Sequence, residues 1–319
     1  MVEVENLVKD YGDIRAVDNI SFTVDKGEVL GFLGPNGAGK STTMNIITGA
    51  LSASSGTVTI NSYDILEEPK KAKAHIGYLP ETPPLYENMT VTEYLRFICD
   101  LKAVSKNKQV EHMANIMAQL KITNVRNRLI GNLSKGYRQR VGIAQALVGN
   151  PEVIILDEPT SGLDPKQIID IRKVIRKLGE KHTVILSSHI LSEVQETCDR
   201  VLIISNGKIT FDGDLAHTHY SQDGRSRVRL TVKNNDQNVF RLIKDIPGID
   251  KVSRVESGPN YQVYDYETVA DYDAREEVFK TFAKARIPLI GMESLDQSLE
   301  DIFLKVTSSS YQYDLRKEQ

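Results

Sequence analysis

One nine-residue segment, Gly34-Pro35-Asn36-Gly37-Ala38-Gly39-Lys40-Ser41-Thr42, limits what this chain can fold into more than any other. It has the G-x-x-x-x-G-K-S spacing of a phosphate-binding loop. The largely apolar residues 28–33 before it predict a buried strand, and residues 42–48 after it predict a helix. Strand, glycine-rich loop and helix in this order favour a phosphate site over a glycine-rich turn that carries a lysine by chance.

The residue types of this loop suit a nucleoside triphosphate with bound Mg²⁺. Gly34, Gly37 and Gly39 allow the backbone to turn sharply and to point its N–H groups inward. The positive end of the following helix adds to that field. We expect Lys40 to reach the β- and γ-phosphates and the hydroxyl of Ser41 to ligate Mg²⁺. Residues 34–42 are therefore assigned to nucleotide binding.

Length and composition narrow the class of protein. The 319 residues suffice for one large domain and a smaller one, and 40% apolar with 26% charged residues is typical of globular proteins. A formal net charge of −3 gives no electrostatic case for nucleic-acid binding. No apolar run approaches the ~20 residues that cross a bilayer, and the first residues lack the pattern of a secretory signal. Cys99 and Cys198 form no disulfide framework, so we expect a reduced, intracellular protein with two buried thiols.

Acidic and histidine side chains stand where predicted strands end. Residues 153–156 are apolar and close on Asp157 and Glu158, and a second apolar strand ends in His189. Active sites of open α/β sheets lie at the carboxyl ends of the strands. Asp157 suits a second Mg²⁺ ligand, Glu158 suits the base that polarises the attacking water, and His189 suits a γ-phosphate contact. Glu81, at the end of another predicted strand, could face Mg²⁺ or that water.

A helical pattern occupies about residues 88–150. Thr90-x-x-Glu93 has the form of a capping box, and the next apolar residues recur at helical spacing. A second amphipathic helix is predicted at about residues 110–121, and a third, apolar helix at residues 141–148. This stretch is predicted to be an all-helical insertion in an α/β domain.

The end of the insertion offers a second helix N-terminus. Ser134, within Leu133-Ser134-Lys135-Gly136, is a good N-cap with a hydroxyl and nearby N–H groups. The segment could bind an anion; the alternative is that Ser134 only caps the helix. The neighbouring basic side chains fit a solvated helix face equally well; they are Lys135, Arg138 and Arg140.

Tyr11 lies in the predicted turn at residues 9–13, between a strand at residues 2–8 and a strand at residues 17–24 that pairs back. An aromatic ring there could stack on a purine. On spacing alone, packing against the turn is the favoured interpretation.

Together these segments resemble one family, the ATP-binding subunits of ABC transporters, over residues 1 to about 215. Six segments match that family. Tyr11 matches its adenine-stacking residue, Gly34–Thr42 its Walker A loop, and Leu133–Gly136 its signature motif. Val153–Glu158 matches its Walker B strand with the catalytic glutamate, Ser161–Asp164 its D-loop, and His189 its switch histidine. Three positions in two motifs depart from the common pattern: Glu81 replaces the usual Q-loop glutamine, and the signature L-S-G-G-Q appears as Leu133-Ser134-Lys135-Gly136-Tyr137. Both variants resemble an exporter branch that includes gliding-motility, multidrug and lipid-type ATPases.

The resemblance implies a fold, a reaction and partners. The implied fold is α/β, a P-loop NTPase core with an antiparallel β-subdomain and a helical subdomain. The implied activity is hydrolysis of ATP with Mg²⁺, sandwiched head-to-tail between two subunits, so that Ser134 and Gly136 contact the γ-phosphate of the nucleotide that the partner binds. Asp164 of the D-loop is also assigned to nucleotide binding. Homodimer and heterodimer with a related ATPase both stay open. Separate membrane permease subunits would form the pore, which places the chain in the cytoplasm at the inner face of the cell membrane.

The C-terminal third has a different pattern. From about residue 219 the order strand, helix, strand, strand, helix, strand predicts a small ferredoxin-like α+β domain to residue 307, followed by a tail at residues 308–319. Arg225, Arg227 and Arg229 alternate along the first strand, where an anion site is possible and a solvated strand face is favoured. We expect a regulatory or dimer-contact module without chemistry of its own. The ATPase domain is accordingly placed at residues 1–218.

Two other functions were weighed. A soluble ABC ATPase that acts on nucleic acid or ribosomes usually has two cassettes in one chain, a long coiled-coil insertion or zinc cysteines, and this sequence has none of these. A binding module with a dead ATP site is disfavoured because Lys40, Asp157, Glu158 and His189 are all present.

Overall fold

The computed structural model of the chain describes residues 1–215, 225–233, 238–270, 272–295 and 299–305. Residues 1–215 belong to one compact unit, and the described residues from 225 to 305 belong to a second. The predicted boundary between residues 218 and 219 and the predicted tail at residues 308–319 lie outside the described residues. No helix in the described ranges is long and apolar enough to span a bilayer.

The elements of the first unit alternate between strands and helices. In chain order they are β1 (Val2–Tyr11), β2 (Ile14–Val24), β3 (Val29–Leu33), α1 (Lys40–Ile47), β4 (Ser55–Ile60), β5 (Tyr63–Asp64), α2 (Pro69–Ala74), β6 (Ile76–Leu79), α3 (Val91–Leu101), α4 (Lys106–Gln119), α5 (Lys135–Leu147), β7 (Val153–Asp157), α6 (Pro165–Gly179), β8 (Thr183–Ser188), α7 (Leu191–Thr197), β9 (Arg200–Ser205) and β10 (Lys208–Asp214). Two short 3₁₀ turns, Thr123–Val125 and Ile130–Asn132, lie between α4 and α5.

The main sheet has six strands in the order β10-β9-β3-β8-β7-β6. All neighbouring pairs from β9 to β6 are parallel, and β10 closes the sheet as an antiparallel hairpin with β9. Every residue of β3, β7 and β8 is buried, which explains their nearly continuous apolar runs. Because these strands run in one direction, their carboxyl ends bring the loops after Leu33, Asp157 and Ser188 to one edge.

A second, antiparallel sheet has the order β2-β1-β4-β5 and shares one apolar core with the main sheet. Within that core the rings of Phe22 and Phe32 lie 5.7 Å apart. Tyr63–Asp64 pairs with β4 as a short strand. The turn between them is formed by Asn61 and Ser62, whose φ values are 48° and 69°, the left-handed conformation of a two-residue hairpin loop.

The helical insertion consists of α3, α4 and α5. Helix α3 begins with the predicted capping box: the N–H of Glu93 donates to the Thr90 hydroxyl, and the N–H of Thr90 donates to Glu93 Oε2 at 2.8 Å. Helix α4 begins at Lys106, before the predicted start at residue 110. Helix α5 begins at Lys135, directly after the predicted Ser134 cap, and runs on into the apolar segment predicted from residue 141. The first turn of α4, residues 106–109, contains no apolar residue, so a pattern of apolar residues does not show where the helix begins.

The second unit contains β11 (Arg225–Lys233), α8 (Val239–Lys244), β12 (Ile249–Ser257), β13 (Tyr261–Ala270), α9 (Arg275–Ala285) and β14 (Leu289–Ser294). This is the element order that the sequence predicts. The strands form an antiparallel sheet in the order β12-β13-β11-β14, with an apolar core that includes residues of both helices. Residues 299–305 are helical.

Acidic partners face the arginines of β11. Arg229 binds Asp265 with two bonds of 2.8 Å, and Arg227 lies 3.3 Å from Glu267. Arg225 binds Asp250. Paired arginines on a partly exposed strand face favour the solvated-face interpretation over an anion site.

Candidate functional site

The loop between β3 and α1 packs so closely against neighbouring backbone that two of its residues must be glycine. A Cβ on Gly34 would lie 2.3 Å from the carbonyl oxygen of Ile204. Gly39 has a φ of +109°, and a Cβ there would lie 2.5 Å from the carbonyl oxygen of Ala16. Gly37 also has a positive φ, +79°. The glycines of the loop therefore meet backbone requirements of this fold as well as those of a phosphate.

Lys40 opens α1 and is 5% exposed. Its amine donates to the carbonyl oxygens of Gly34 at 2.8 Å and Pro35 at 3.1 Å, so the side chain folds back over its own loop. Nζ also lies 3.6 Å from Oε1 of Glu158. Burial lowers the pKa of Lys40, and the neighbouring carboxylates of Glu158 and Asp157 oppose that effect. A phosphate in the loop would supply the negative charge that compensates this desolvated amine.

Ser41 and Asp157 meet at the carboxyl end of β7. The Ser41 hydroxyl lies 3.3 Å from Oδ1 of Asp157, which is 2% exposed. The hydroxyl of Ser187 donates to the same carboxylate oxygen at 2.5 Å. A hydroxyl and a carboxylate are oxygen donors of the kind that Mg²⁺ takes, and Mg²⁺ commonly uses one or two protein ligands together with substrate phosphates. The described residues contain no cluster of three or more His, Cys, Asp and Glu side chains that could hold a metal ion.

Glu158 follows Asp157 in a left-handed backbone conformation, with a φ of 47°. Its N–H donates to the Ser187 hydroxyl at 3.0 Å, and its Oε2 lies 2.9 Å from Nδ1 of His189. Burial raises the pKa of Glu158, while His189 and Lys40 act in the opposite direction. The left-handed conformation of Glu158 costs on the order of 1–3 kcal/mol, and such strain is typical of functional sites. A carboxylate with a raised pKa is a better proton acceptor than an ordinary one.

Glu81 lies beyond the end of β6 and is exposed. It lines a cavity of about 400 Å³ together with Lys135 and Arg138 of α5. The negative charge of Glu81 acts against burial, which lowers the pKa of Lys40. No hydrogen bond or ion pair within residues 1–215 joins Glu81 to Ser41 or Asp157, so its role toward Mg²⁺ and water stays a prediction.

Tyr11 ends β1, and its side chain is 49% exposed. The Nζ atom of Lys9 lies 5.2 Å from the centre of the ring. The ring is half buried, so packing against the turn and stacking on a purine both stay open. Exposure leaves the ring accessible to a stacking partner.

Ser134, Gly136 and Asp164 form a second cluster. With Tyr137 and Gln167 they line a cavity of about 310 Å³ between the N-termini of α5 and α6. Ser134 caps α5, and Asp164 caps α6 by accepting from the N–H of Gln167 at 2.9 Å. A Cβ on Gly136 would lie 2.4 Å from Oε1 of Gln167, so that the Gln167 side chain would have to move aside. No hydrogen bond or ion pair in the first unit joins this cluster to Lys40, Asp157 or Glu158.

Ser187, which is 0% exposed, also belongs to the site and is not among the residues predicted from the sequence. Its hydroxyl contacts both the Asp157 carboxylate and the Glu158 N–H, and so fixes the two acidic residues relative to β8. The signal was present, since Ser187 and Ser188 are polar residues at the end of an otherwise apolar strand. Tyr78 was also missed; its hydroxyl donates to Asn45 of α1 at 3.1 Å, and burial raises its pKa to about 12.

Comparison with known proteins agrees with this geometry. The sequence profile of a family described as ABC transporter matches residues 17–161. The chain is 31% identical over 316 residues to the bacitracin transport ATP-binding protein BcrA of Bacillus licheniformis, covering 96% of this chain and 97% of that protein. It is 32% identical over 314 residues to the linearmycin resistance ATP-binding protein LnrL of Bacillus subtilis, covering 96% and 98%.

A solved structure extends the likeness to three dimensions. It is the dimeric structure of a post-hydrolysis state of the ATP-binding cassette MJ0796 bound to ADP and Pi. The TM-score is 0.62 at 27% identity, covering 67% of this chain and 99% of the other. With the phosphate loop, the acidic strand end and the full-length relatives together, the chain belongs to the ABC transporter family, as an ATP-binding subunit and an ATPase.

Proposed function

We propose that the chain supplies energy to an exporter, by binding ATP and Mg²⁺ between two subunits and hydrolysing the ATP. The observation that carries this proposal is the cluster at one sheet edge in which buried Lys40, Asp157 and Glu158 lie together and the partly exposed His189 contacts Glu158. Export is supported by the relatives, whose names refer to bacitracin transport and linearmycin resistance.

Within one subunit, each side chain has a distinct task. Lys40 exchanges its two backbone carbonyl contacts for oxygens of the β- and γ-phosphates. Ser41 and Asp157 hold Mg²⁺, which, when bound, neutralises charge that develops on the phosphoryl oxygens. Glu158 orients and polarises the attacking water, and His189 holds the Glu158 carboxylate and contacts the γ-phosphate.

The second half of the site comes from a second subunit. The cluster of Ser134, Gly136 and Asp164 lies at two helix N-termini, which attract anions. Within residues 1–215 no hydrogen bond or ion pair joins it to Lys40, Asp157 or Glu158. A head-to-tail dimer would place this cluster over the partner's nucleotide. The dimeric form of the related cassette bound to ADP and Pi supports the proposal.

ATPase cassettes of this family dimerise and work with membrane permease subunits. For this chain we propose that the permease docks beside the helical insertion. A cavity of about 480 Å³ is lined there by Ile98 and Leu101 of α3, Pro80 and Pro84 after β6, and Lys102. Its mixed apolar and basic lining suits a short protein segment, and docking would hold the subunit at the inner face of the cell membrane.

The second unit is proposed to be an accessory domain, regulatory or contacting the partner subunit, which begins near residue 219. The ion pairs of its β11 arginines supply no reactive group.

The experiment is affinity purification of the tagged Glu158→Gln protein from detergent-solubilised membranes with ATP and Mg²⁺. Without its base the closed dimer accumulates, so partners that prefer this state stay bound. Glu180→Gln, an exposed carboxylate at the end of α6, is the matched control. Recovery of a multi-span membrane protein supports the proposal. Recovery of ribosomes or nucleic acid without a membrane partner contradicts it.

A further inference from the structure

A buried carboxylate outside the nucleotide cluster touches both segments that carry the hydrolytic residues. Glu193 lies in the first turn of α7 and is 2% exposed. Its Oε2 accepts from the hydroxyl of Thr160 at 2.6 Å and from the hydroxyl of Ser188 at 3.0 Å. One carboxylate oxygen therefore joins the loop after β7 to the end of β8.

The places of these two hydroxyls in the chain matter. Thr160 is two residues after Glu158, and Ser188 directly precedes His189. The Ser188 hydroxyl also accepts from the N–H of Ile190 at 3.0 Å, so it holds the backbone on the far side of His189. Glu158 and His189 contact each other at 2.9 Å. Through Thr160 and Ser188, the buried Glu193 also joins the two chain segments that carry them.

Arg172 connects Glu193 to a third element, helix α6. Its Nη2 lies 3.9 Å from Oε1 of Glu193, and its Nη1 binds Oε2 of Glu196 at 2.7 Å. Helix α6 begins with the cap Asp164, part of the cluster proposed to face the partner subunit. Residues on α6, α7 and the two catalytic segments are therefore in one connected polar group.

Stability alone is a weak reason for this arrangement. A buried charge is costly to desolvate, and well-packed apolar side chains of similar size are often as stabilising or more so. Oε1 of Glu193 and Nε of Arg172 are both buried and make no hydrogen bond to any described residue. A group that is costly to bury and still bridges two catalytic segments is better explained by what it positions.

We propose that Glu193 is a positioning residue for ATP hydrolysis, which sets the distance between Glu158 and His189 by holding Thr160 and Ser188 together. The inference rests on the proposed roles of Glu158 and His189. It concerns neither nucleotide binding nor the transfer of a proton by Glu193 itself.

The test is steady-state hydrolysis by the purified full-length chain with Glu193→Gln and Glu193→Leu. Glutamine keeps an oxygen acceptor of similar size, whereas leucine removes both hydrogen bonds. Displacements of about 1 Å can cost about 100-fold in rate, so we expect kcat to fall roughly 100-fold for leucine and less than about 10-fold for glutamine. The KM for ATP should stay within about twofold for both.

Glu196→Gln is the matched control, because Glu196 lies on the same helix, binds the same Arg172, and has a side chain that is 63% exposed. It should leave kcat unchanged. Thr160→Val removes a single hydroxyl and tests the link without removing a buried charge. Its effect on kcat should not add to that of Glu193→Leu, since both break one bridge.

The outcomes separate the inference from the proposed function. If Glu193→Leu unfolds at lower denaturant concentration but its folded fraction keeps the wild-type kcat, Glu193 is structural and the inference is overturned. The same holds if Thr160→Val and Glu193→Leu reduce kcat additively. If Glu158→Gln and His189→Ala themselves leave kcat unchanged, the proposed function fails at its base, independently of Glu193.

Discussion

Nζ of Lys40 and Oε1 of Glu158 face each other across 3.6 Å, and both side chains are less than 10% exposed. One belongs to the first turn of α1 and the other follows β7, so the sheet brings together residues separated by more than a hundred positions. Burial disfavours the charge on each of them, and each partly compensates the other. The charges of Lys40 and Glu158 are thus coupled before any nucleotide binds.

Lys40→Met should weaken nucleotide binding without a large loss of stability. A hydrogen bond to a charged group contributes about 1.5–3 kcal/mol, so the Kd for ATP should rise by roughly 10- to 150-fold. Isothermal titration gives the Kd. Lys102→Met is the matched control, because Lys102 is also a lysine whose pKa is lowered by burial and whose amine donates to a carbonyl, that of Ile76, at 2.9 Å. An equal loss of affinity in both variants would contradict the assignment of Lys40.

Glu158→Gln should abolish turnover and keep binding. The variant retains the side chain's size but cannot accept a proton, and general bases contribute about 10²- to 10⁴-fold to rates. We expect kcat to fall within that range while the Kd for ATP changes little. Phosphate release measures the first quantity and nucleotide titration the second. Substantial residual turnover would place the base elsewhere.

The pH dependence of hydrolysis follows from the position of Glu158. Burial raises its pKa, and the base acts when deprotonated, so kcat/KM should rise with pH through a midpoint above the ordinary glutamate value of 4.5. His189 acts to lower that pKa. His189→Gln should therefore move the acidic limb to higher pH. A limb that moves to lower pH, or does not move, would show that His189 does not act on Glu158.

Gly34→Ala should destabilise the first unit. Its new Cβ would lie 2.3 Å from the carbonyl oxygen of Ile204, a backbone atom that cannot move aside easily. Overpacking of this kind costs about 1–3 kcal/mol in the free energy of unfolding, measured by urea denaturation. Gly291→Ala is the control, since its Cβ would meet nothing closer than 3.6 Å. Equal stability of both variants would contradict the close fit of the loop.

Local sequence patterns predicted the parts of the site that are contiguous in the chain. The phosphate loop, the acidic end of β7 and the cap at Ser134 each combine a motif with an adjacent strand or helix, and the structure has those elements in place. The bonds made by Ser187 and Glu193 were not predictable in this way. The bonds from Ser187 to Asp157 and Glu158 and from Thr160 to Glu193 join residues about 30 positions apart, and these partners are set by the order of strands in the sheet.

Short elements were missed for a related reason. Helices α2 and α7 have six and seven residues, fewer than two full turns, so no apolar periodicity can develop. The hairpin of β4 and β5 depends on the left-handed conformation of Asn61 and Ser62, which a pattern of apolar residues does not reveal.

The most direct test of the account is a mixing experiment with two inactive variants of the full-length chain. Lys40→Met disables the phosphate loop, and Ser134→Arg disables the cluster proposed to act on the partner's nucleotide. In a head-to-tail dimer one of the two sites in a mixed pair is intact, so an equimolar mixture should recover about a quarter of wild-type hydrolysis. No recovery, although both variants fold and Ser134→Arg still binds ATP, would contradict an ATPase site shared between two subunits.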